Sequence, residues 1–349
     1  MEQRCPTNLL TGFLGSGKTT LLNAWLRSPA LADTAVIVNE FGEIGIDHAL
    51  IASSNDNTIE LSTGCLCCTV RGDLVETLRD LNEKRARGEV RQFSRVFIET
   101  TGLADPAPVV QALMTFPVAR KFALNQIIAT VDAYNGMATL DRHKEAVKQI
   151  AVADDIIVTK TDLGGGSVAE LTARIRKLNP GARLHYARPD DQPGIDTLAR
   201  QAMFDITSKP AEVAGWLNAE AHEEHHHHGH GHHHHHDVNR HDAAIGSFCL
   251  SFDAPLAWEH VANWLDALVI AHGDDLLRVK GILDIEGRRN PIVVQAVQRL
   301  FHPPFELQAW PEGPRRSQIV FITRNLSRDF VAEVLATIRS RPIAPAPKF

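Results

Sequence analysis

The sequence predicts an α/β protein: a doubly wound, mostly parallel sheet followed by a smaller α+β domain. Three observations carry that expectation. Short, nearly continuous apolar runs rich in β-branched residues alternate with helical stretches through the first part of the chain, the pattern of strands buried on both faces. Composition breaks sharply from His222 to His241, where HEEHHHHGHGHHHHHDVNRH offers almost nothing to a core. Strands and helices resume beyond the break, and 349 residues are enough for two domains of ordinary size.

Along the chain, Asn8 to Gly12 reads as a short strand, a glycine-rich loop follows, and Thr19 to Leu26 carries leucines and a tryptophan at helical spacing. Further strands are expected at Ala35–Asn39, Arg95–Glu99, Gln126–Val131 and Asp155–Thr159, with helices at Leu74–Arg87 and Val168–Leu178. After the histidine-rich stretch come a strand at Gly246–Phe252, a helix at Trp258–Ile270 and two strands at Leu276–Ile285 and Pro291–Leu300. A strand at Ser317–Thr323 and a helix at Ser327–Ile338 close the chain, read together as β-α-β-β-α-β, a ferredoxin-like split βαβ unit.

The 44% apolar and 22% charged fractions are ordinary for a globular protein, and no apolar run reaches the roughly 18 residues of a membrane span. The N-terminus, MEQRCPTNLLTGFLG, lacks the basic start and cleavage site of a signal peptide, so a cytoplasmic protein with no membrane partner is expected. A formal net charge of -6 without any Lys/Arg block argues against nucleic acid, which requires a concentrated basic face. The sequence leaves open whether copies associate into a homo-oligomer.

Gly12-Phe-Leu-Gly-Ser-Gly-Lys-Thr19 satisfies G-x-x-x-x-G-K-[ST] and lies between an expected strand and an expected helix, where a P-loop works. Backbone N–H groups around Gly12, Gly15, Ser16 and Gly17 would cradle phosphates, Lys18 would reach the β- and γ-phosphates, and the Thr19 hydroxyl would ligate Mg²⁺; Thr20 belongs to the same phosphate-side set. Glu99-Thr-Thr-Gly102 ends a neighbouring strand, so Glu99 is expected to hold the water shell of the Mg²⁺. Gly102, without a side chain, could bring its N–H to the γ-phosphate. Thr159-Lys-Thr-Asp162 resembles the guanine-reading motif of GTPases, with Thr159 in place of the usual Asn; Asp162 would accept from guanine N1 and N2, and Lys160 accompanies it. These features make residues 1–208 a P-loop GTPase domain, 209–245 a histidine-rich flexible linker and 246–349 a C-terminal α+β domain.

Five cysteines are present, and Cys65, Cys67 and Cys68 stand within four positions, too close for comfortable disulfides. Three soft ligands suit Zn²⁺ or Cu(I), and three thiolates leave one position for exchange, as a site that must release its ion requires. Cys5 and Cys249 stand alone and read as structural. Twelve of the 18 histidines lie between His222 and His241; an internal, glycine-interrupted tract followed by a whole domain is not an affinity tag, and its many interchangeable imidazoles suit ion collection or buffering.

GFLGSGKTT at Gly12–Thr20, VNEFGEIGID at Val38–Asp47, GCLCC at Gly64–Cys68, ETTGLADP at Glu99–Pro106 and TKTD, in that order, resemble the CobW-type metallochaperone GTPases of the CobW/HypB/UreG group. LLRVKGIL at Leu276–Leu283 and VQAVQRL at Val294–Leu300 resemble that family's C-terminal domain, so the likeness spans nearly the whole chain. The resemblance implies a GTP-driven chaperone delivering Zn²⁺, or in some members Co²⁺ for cobalamin synthesis, to client metalloproteins. It also implies that Glu40–Asp47 form the first switch and that Cys65, Cys67 and Cys68 bind the cargo ion. Asp47 and Glu43 are candidates for positioning the attacking water. Two other readings stay open: a passive metal store with vestigial nucleotide turnover, and a P-loop kinase, for which no acceptor-binding signature is visible.

Overall fold

The computed structural model describes residues 4–28, 31, 33–40, 58–62, 69–163, 167–188, 245–311 and 314–340. The expected first switch beyond Glu40, including Glu43 and Asp47, lies outside them, as do the three clustered cysteines and the histidine tract. The chain divides into two compact units, Met1–Ser208 and Lys209–Phe349.

In the first unit the strands are β1 (Cys5–Gly12), β2 (Thr34–Glu40), β3 (Thr58–Ser62), β4 (Arg95–Glu99), β5 (Phe122–Asp132), β6 (Asp155–Thr159) and β7 (Arg183–Tyr186). They form one seven-stranded sheet in the order β3-β2-β4-β1-β5-β6-β7, and every neighbouring pair runs parallel. The helices are α1 (Lys18–Leu26), α2 (Thr69–Arg87), α3 (Ala107–Met114), α4 (Gly136–Arg142), α5 (Lys144–Val152) and α6 (Val168–Leu178). Leu21, Leu22, Trp25 and Leu26 of α1 are packed with Leu10, Val36, Phe97, Ile128 and Ile157 of the sheet. That stripe is the one its leucine and tryptophan spacing implies. Ser167 starts α6 by accepting a hydrogen bond from Glu170 N at 3.2 Å, and Leu171, Ile175 and Leu178 bury the helix's inner face.

Parallel pairing sets where a ligand binds. β2 and β3 lie on one side of β1 and β5 to β7 on the other, so the strand order reverses at β1 and a crevice opens at the carboxyl ends of the strands there. The glycine loop leaves β1 at that point, and Glu99 ends the adjacent β4.

The second unit comprises β8 (Ile245–Phe252), α7 (Trp258–His272), β9 (Leu276–Leu283), β10 (Ile292–Val297), β11 (Leu300–Phe301), β12 (Phe305–Glu306), β13 (Ser317–Arg324) and α8 (Arg328–Arg339). Its sheet runs β11-β10-β9-β13-β8 with β12 paired to β10, all antiparallel. Because β13 pairs antiparallel with both β8 and β9, those two strands point the same way with β13 between them, a split βαβ crossover through α7. The unit is α+β as expected, but its element order is not β-α-β-β-α-β: the second long helix, α8, follows the last strand instead of preceding it. Ser327 sets that position, because its hydroxyl accepts from Phe330 N at 3.1 Å and starts a helix only after β13 is complete. Trp264, fully buried on α7, donates Nε1–H to Val331 O of α8 at 2.9 Å and anchors both helices to one face of the sheet. No described helix is long and apolar enough to cross a membrane.

Candidate functional site

The loop from Gly12 to Lys18 joins β1 to α1. Gly12 has φ 142°, and a Cβ there would lie 2.6 Å from Thr130 O and 2.8 Å from Ser16 Oγ, so no side chain fits. Gly15 and Gly17 also hold positive φ, 69° and 89°. Ser16 Oγ lies 2.6 Å from Thr130 Oγ1, fastening the loop to the end of β5. Lys18 is nearly buried and donates from Nζ to Gly12 O at 2.9 Å and Phe13 O at 3.2 Å, so its ammonium is held across the loop.

Thr19 Oγ1 donates to Glu99 Oε1 at 2.6 Å, bringing the two expected Mg²⁺-side oxygens together. Thr100, the next residue, continues the bond to β1 with its N–H to Leu10 O at 2.9 Å and its hydroxyl 3.0 Å from Thr11 Oγ1. The turn that follows is pressed against the phosphate loop: a Cβ on Gly102 would sit 2.5 Å from Leu14 N and 2.7 Å from Leu14 Cα. Gly102 thus lies against the loop, where only glycine can come this close.

The base side is organised around Thr159. Its hydroxyl donates to Ser16 O at 2.7 Å, so the strand carrying the TKTD motif is fastened directly to the phosphate loop. Lys160 sits at φ 56° and donates from Nζ to Asp132 Oδ2 at 2.8 Å. Asp132 also accepts from Tyr134 N at 2.8 Å, Asn135 N at 3.2 Å and Asn135 Nδ2 at 3.1 Å. Burial opposes ionisation of Asp132, but the hydrogen bonds from Lys160, Asn135 and Tyr134 outweigh it and hold the carboxyl below the ordinary carboxylate range. Gly17, Thr20, Leu21, Thr159, Lys160, Asp162, Leu163, Ala187 and Arg188 line a cleft of about 200 Å³. Asp162 is exposed at this cleft.

Asp132, Thr130, Ala187 and Arg188 were not among the residues picked from the sequence. Asp132 carries the signal that selected Glu99, an acid ending a β-branched strand, and could have been found by it. Ala187 and Arg188 follow the polar edge strand β7 and had no such signal. A second cavity of about 280 Å³ lies on the other side of the loop, lined by Phe13 to Ser16, Asp132, Asn135, His143 and Gln149 among others; Phe13 and His143 stack there with ring centroids 4.3 Å apart.

Among the described residues no group of three or more His, Cys, Asp or Glu could hold a metal ion. Cys65, Cys67 and Cys68 fall between the end of β3 and the start of α2, outside those residues. Cys5 and Cys249 form no disulfide, and burial is the main reason the Cys5 thiol is pushed up to about 11.

The family model for the CobW/HypB/UreG nucleotide-binding domain matches residues 6–186, and that for the cobalamin synthesis protein cobW C-terminal domain matches 245–339. The chain belongs to the CobW family. It is 31% identical over 334 residues to the zinc chaperone YjiA of Escherichia coli, covering 95% of this chain and 98% of that protein. To the zinc-regulated GTPase metalloprotein activator 1 of Saccharomyces cerevisiae it is 27% identical over 374 aligned positions, covering 96% and 83%. The crystal structure of Zn(II)-bound YjiA GTPase from E. coli superposes with a TM-score of 0.69 at 27% identity, covering 97% of this chain and 100% of that one. Family membership identifies the loop between β1 and α1 as the P-loop of a GTPase-type nucleotide-binding domain.

Proposed function

We propose that this CobW-family chain hydrolyses GTP and uses the cycle to bind zinc at Cys65, Cys67 and Cys68 and hand it to client metalloproteins in the cytoplasm. The observation that carries the nucleotide half is the bond from the Thr159 hydroxyl to Ser16 O, which joins the strand ending in Asp162 to the phosphate loop. The zinc half rests on the full-length likeness to proteins named zinc chaperones and a zinc-regulated GTPase. Topology supports the coupling: the segment holding the three cysteines leaves the carboxyl end of β3, the same end of a parallel sheet at which Gly12 and Glu99 lie.

Within this scheme Lys18 exchanges its bonds to Gly12 O and Phe13 O for phosphate oxygens, and Lys160 and Asp162 receive guanine. The hydroxyl of Thr19 and the carboxylate of Glu99 are neighbouring oxygen donors that would hold Mg²⁺. Bound there, Mg²⁺ supplies neutralisation of phosphate charge. Gly102 N–H answers to the γ-phosphate, and Asp47, or alternatively Glu43, orients the attacking water. The histidine tract collects ions for the cysteines.

The test is GTP hydrolysis by the full chain across series of Zn²⁺, Co²⁺ and Ni²⁺, repeated with Cys67→Ser and with residues 225–236 deleted. Stimulation by Zn²⁺ that vanishes in Cys67→Ser is the expected result. Stimulation by Co²⁺ alone would name cobalt as cargo, and turnover indifferent to every metal would favour the passive store.

A further inference from the structure

We propose that Gln149 is a positioning residue for the γ-phosphate response, gripping the Gly102 turn through two carbonyl oxygens and holding it in the arrangement that accepts GTP. Gln149 lies on α5 and is only 1% exposed. Its Nε2 donates to Gly102 O at 3.1 Å and to Ala104 O at 3.0 Å. Two facing carbonyl oxygens require the NH₂ end of the amide there, so the orientation of the side chain follows from the chemistry. Both amide hydrogens go to one turn, while the side-chain oxygen Oε1 is buried without a hydrogen bond. An unpaired buried acceptor is destabilising, so this amide satisfies the turn more fully than itself.

The grip acts where movement would matter. Gly102 is in contact with the backbone of Leu14 in the P-loop, without space for even a Cβ. Fixing the carbonyls of Gly102 and Ala104 restricts rotation of the Gly102–Leu103 and Ala104–Asp105 peptide planes, and so fixes how the turn meets the loop. The neighbouring Lys148 adds an ion pair from Nζ to Asp105 Oδ2 at 2.8 Å, and Asp105 Oδ1 accepts from Ala107 N at 3.0 Å at the start of α3. One turn of α5 therefore holds the segment between Glu99 and α3. α5 in turn leads into β6 and the base cleft, which places the two ends of a nucleotide on one mechanical connection.

This inference rests on the guanine-nucleotide reading, and the experiment separates the two. Affinities for a non-hydrolysable GTP analogue and for GDP are measured by calorimetry on the full-length wild type, Gln149→Met and Gln149→Glu. Met keeps the volume and loses both donors, whereas Glu turns a carboxylate toward two carbonyl oxygens. The expected result is that GTP-analogue affinity falls roughly ten-fold in Met and further in Glu, within the range of a coupling of about 1–3 kcal/mol, while GDP affinity changes less than about two-fold. Hydrogen exchange of residues 101–105 should rise in both variants, with α6 unchanged. Equal losses for both nucleotides, or the wild-type ratio retained in a folded variant, would overturn the role of Gln149 alone. A wild-type protein binding neither nucleotide would overturn the nucleotide reading and this inference with it. If Gln149→Glu does not fold, Gln149→Met decides.

Discussion

Asp162 faces solvent at its cleft, whereas Asp132, at the neighbouring strand end, is spent on Lys160, Tyr134 and Asn135. Asp132 holds Lys160 in a left-handed backbone conformation that costs about 1–3 kcal/mol, and Asp162 is the acid proposed to meet the base. Replacing it by an amide that cannot accept twice should weaken GTP by roughly five- to 150-fold, the equivalent of about 1–3 kcal/mol, with ATP affinity unchanged. A competition assay on Asp162→Asn reads this directly, and equal losses for both nucleotides would remove Asp162 from base selection. Lys18, Thr19, Glu99, Gly102 and Asp162 were legible because each belongs to a short pattern anchored at a strand end. Gln149 was not, since a glutamine inside an amphipathic helix matches no pattern and only folding shows what it reaches; Asp132 carried the strand-end signal of Glu99 but was not picked.

At the scale of elements, β6 carries its own buried charge at the end opposite the nucleotide. Asp155 is fully buried; it accepts from Arg183 Nε at 2.8 Å and Nη2 at 2.7 Å, pairs with His185 Nε2 at 2.7 Å and is bonded by Gln126. Burial alone would raise its pKa, but the hydrogen bonds from His185, Arg183 and Gln126, with the charge of Arg183, outweigh it and depress the carboxyl below its ordinary value. A depressed folded-state pKa contributes stability that is present above the unfolded value near 3.9 and lost as pH falls through the folded value. Asp155→Asn should therefore cost about 3–5 kcal/mol at neutral pH, as for a broken buried pair, and the deficit should narrow in urea titrations carried below about pH 4. A deficit independent of pH would show that packing alone is at stake. The central strands β1, β4, β5 and β6 were legible because burial on both faces leaves apolar runs. The edge strands β3 and β7 read TIELS and RLHY, half polar, and fell below that signal.

Across the whole molecule, each unit buries a core of its own, one around Trp25 and Phe97 and the other around Trp264 and Phe321. The second domain was legible as α+β from its strand and helix spacing. The positions of its elements were legible too, the last helix falling after the last strand, but β-α-β-β-α-β did not describe them, and that β13 enters between β8 and β9 is seen only in the folded sheet. Trp264→Ala removes a fully buried ring and its bond to Val331 O, a change expected to cost about 3–5 kcal/mol. Separate cores predict that this loss appears as an earlier unfolding step of residues 245–340 in urea, while GTP affinity stays within about two-fold. A single shifted transition with parallel loss of GTP binding would show that the two cores are one cooperative unit.

The hydroxyl of Thr159, bonded to Ser16 O, also sets a clock. With the strand ending in Asp162 tied to the phosphate loop, the proposed guanine nucleotide is expected to leave only when both anchors loosen in the same event, which predicts a long residence time. Thr159→Val keeps the shape and removes the tie. Fluorescent GDP should then dissociate about ten-fold faster, the effect of a net hydrogen bond of roughly 1.4 kcal/mol, with its association rate little changed. Slow exchange of this kind would make each turn of the cycle a single, committed delivery.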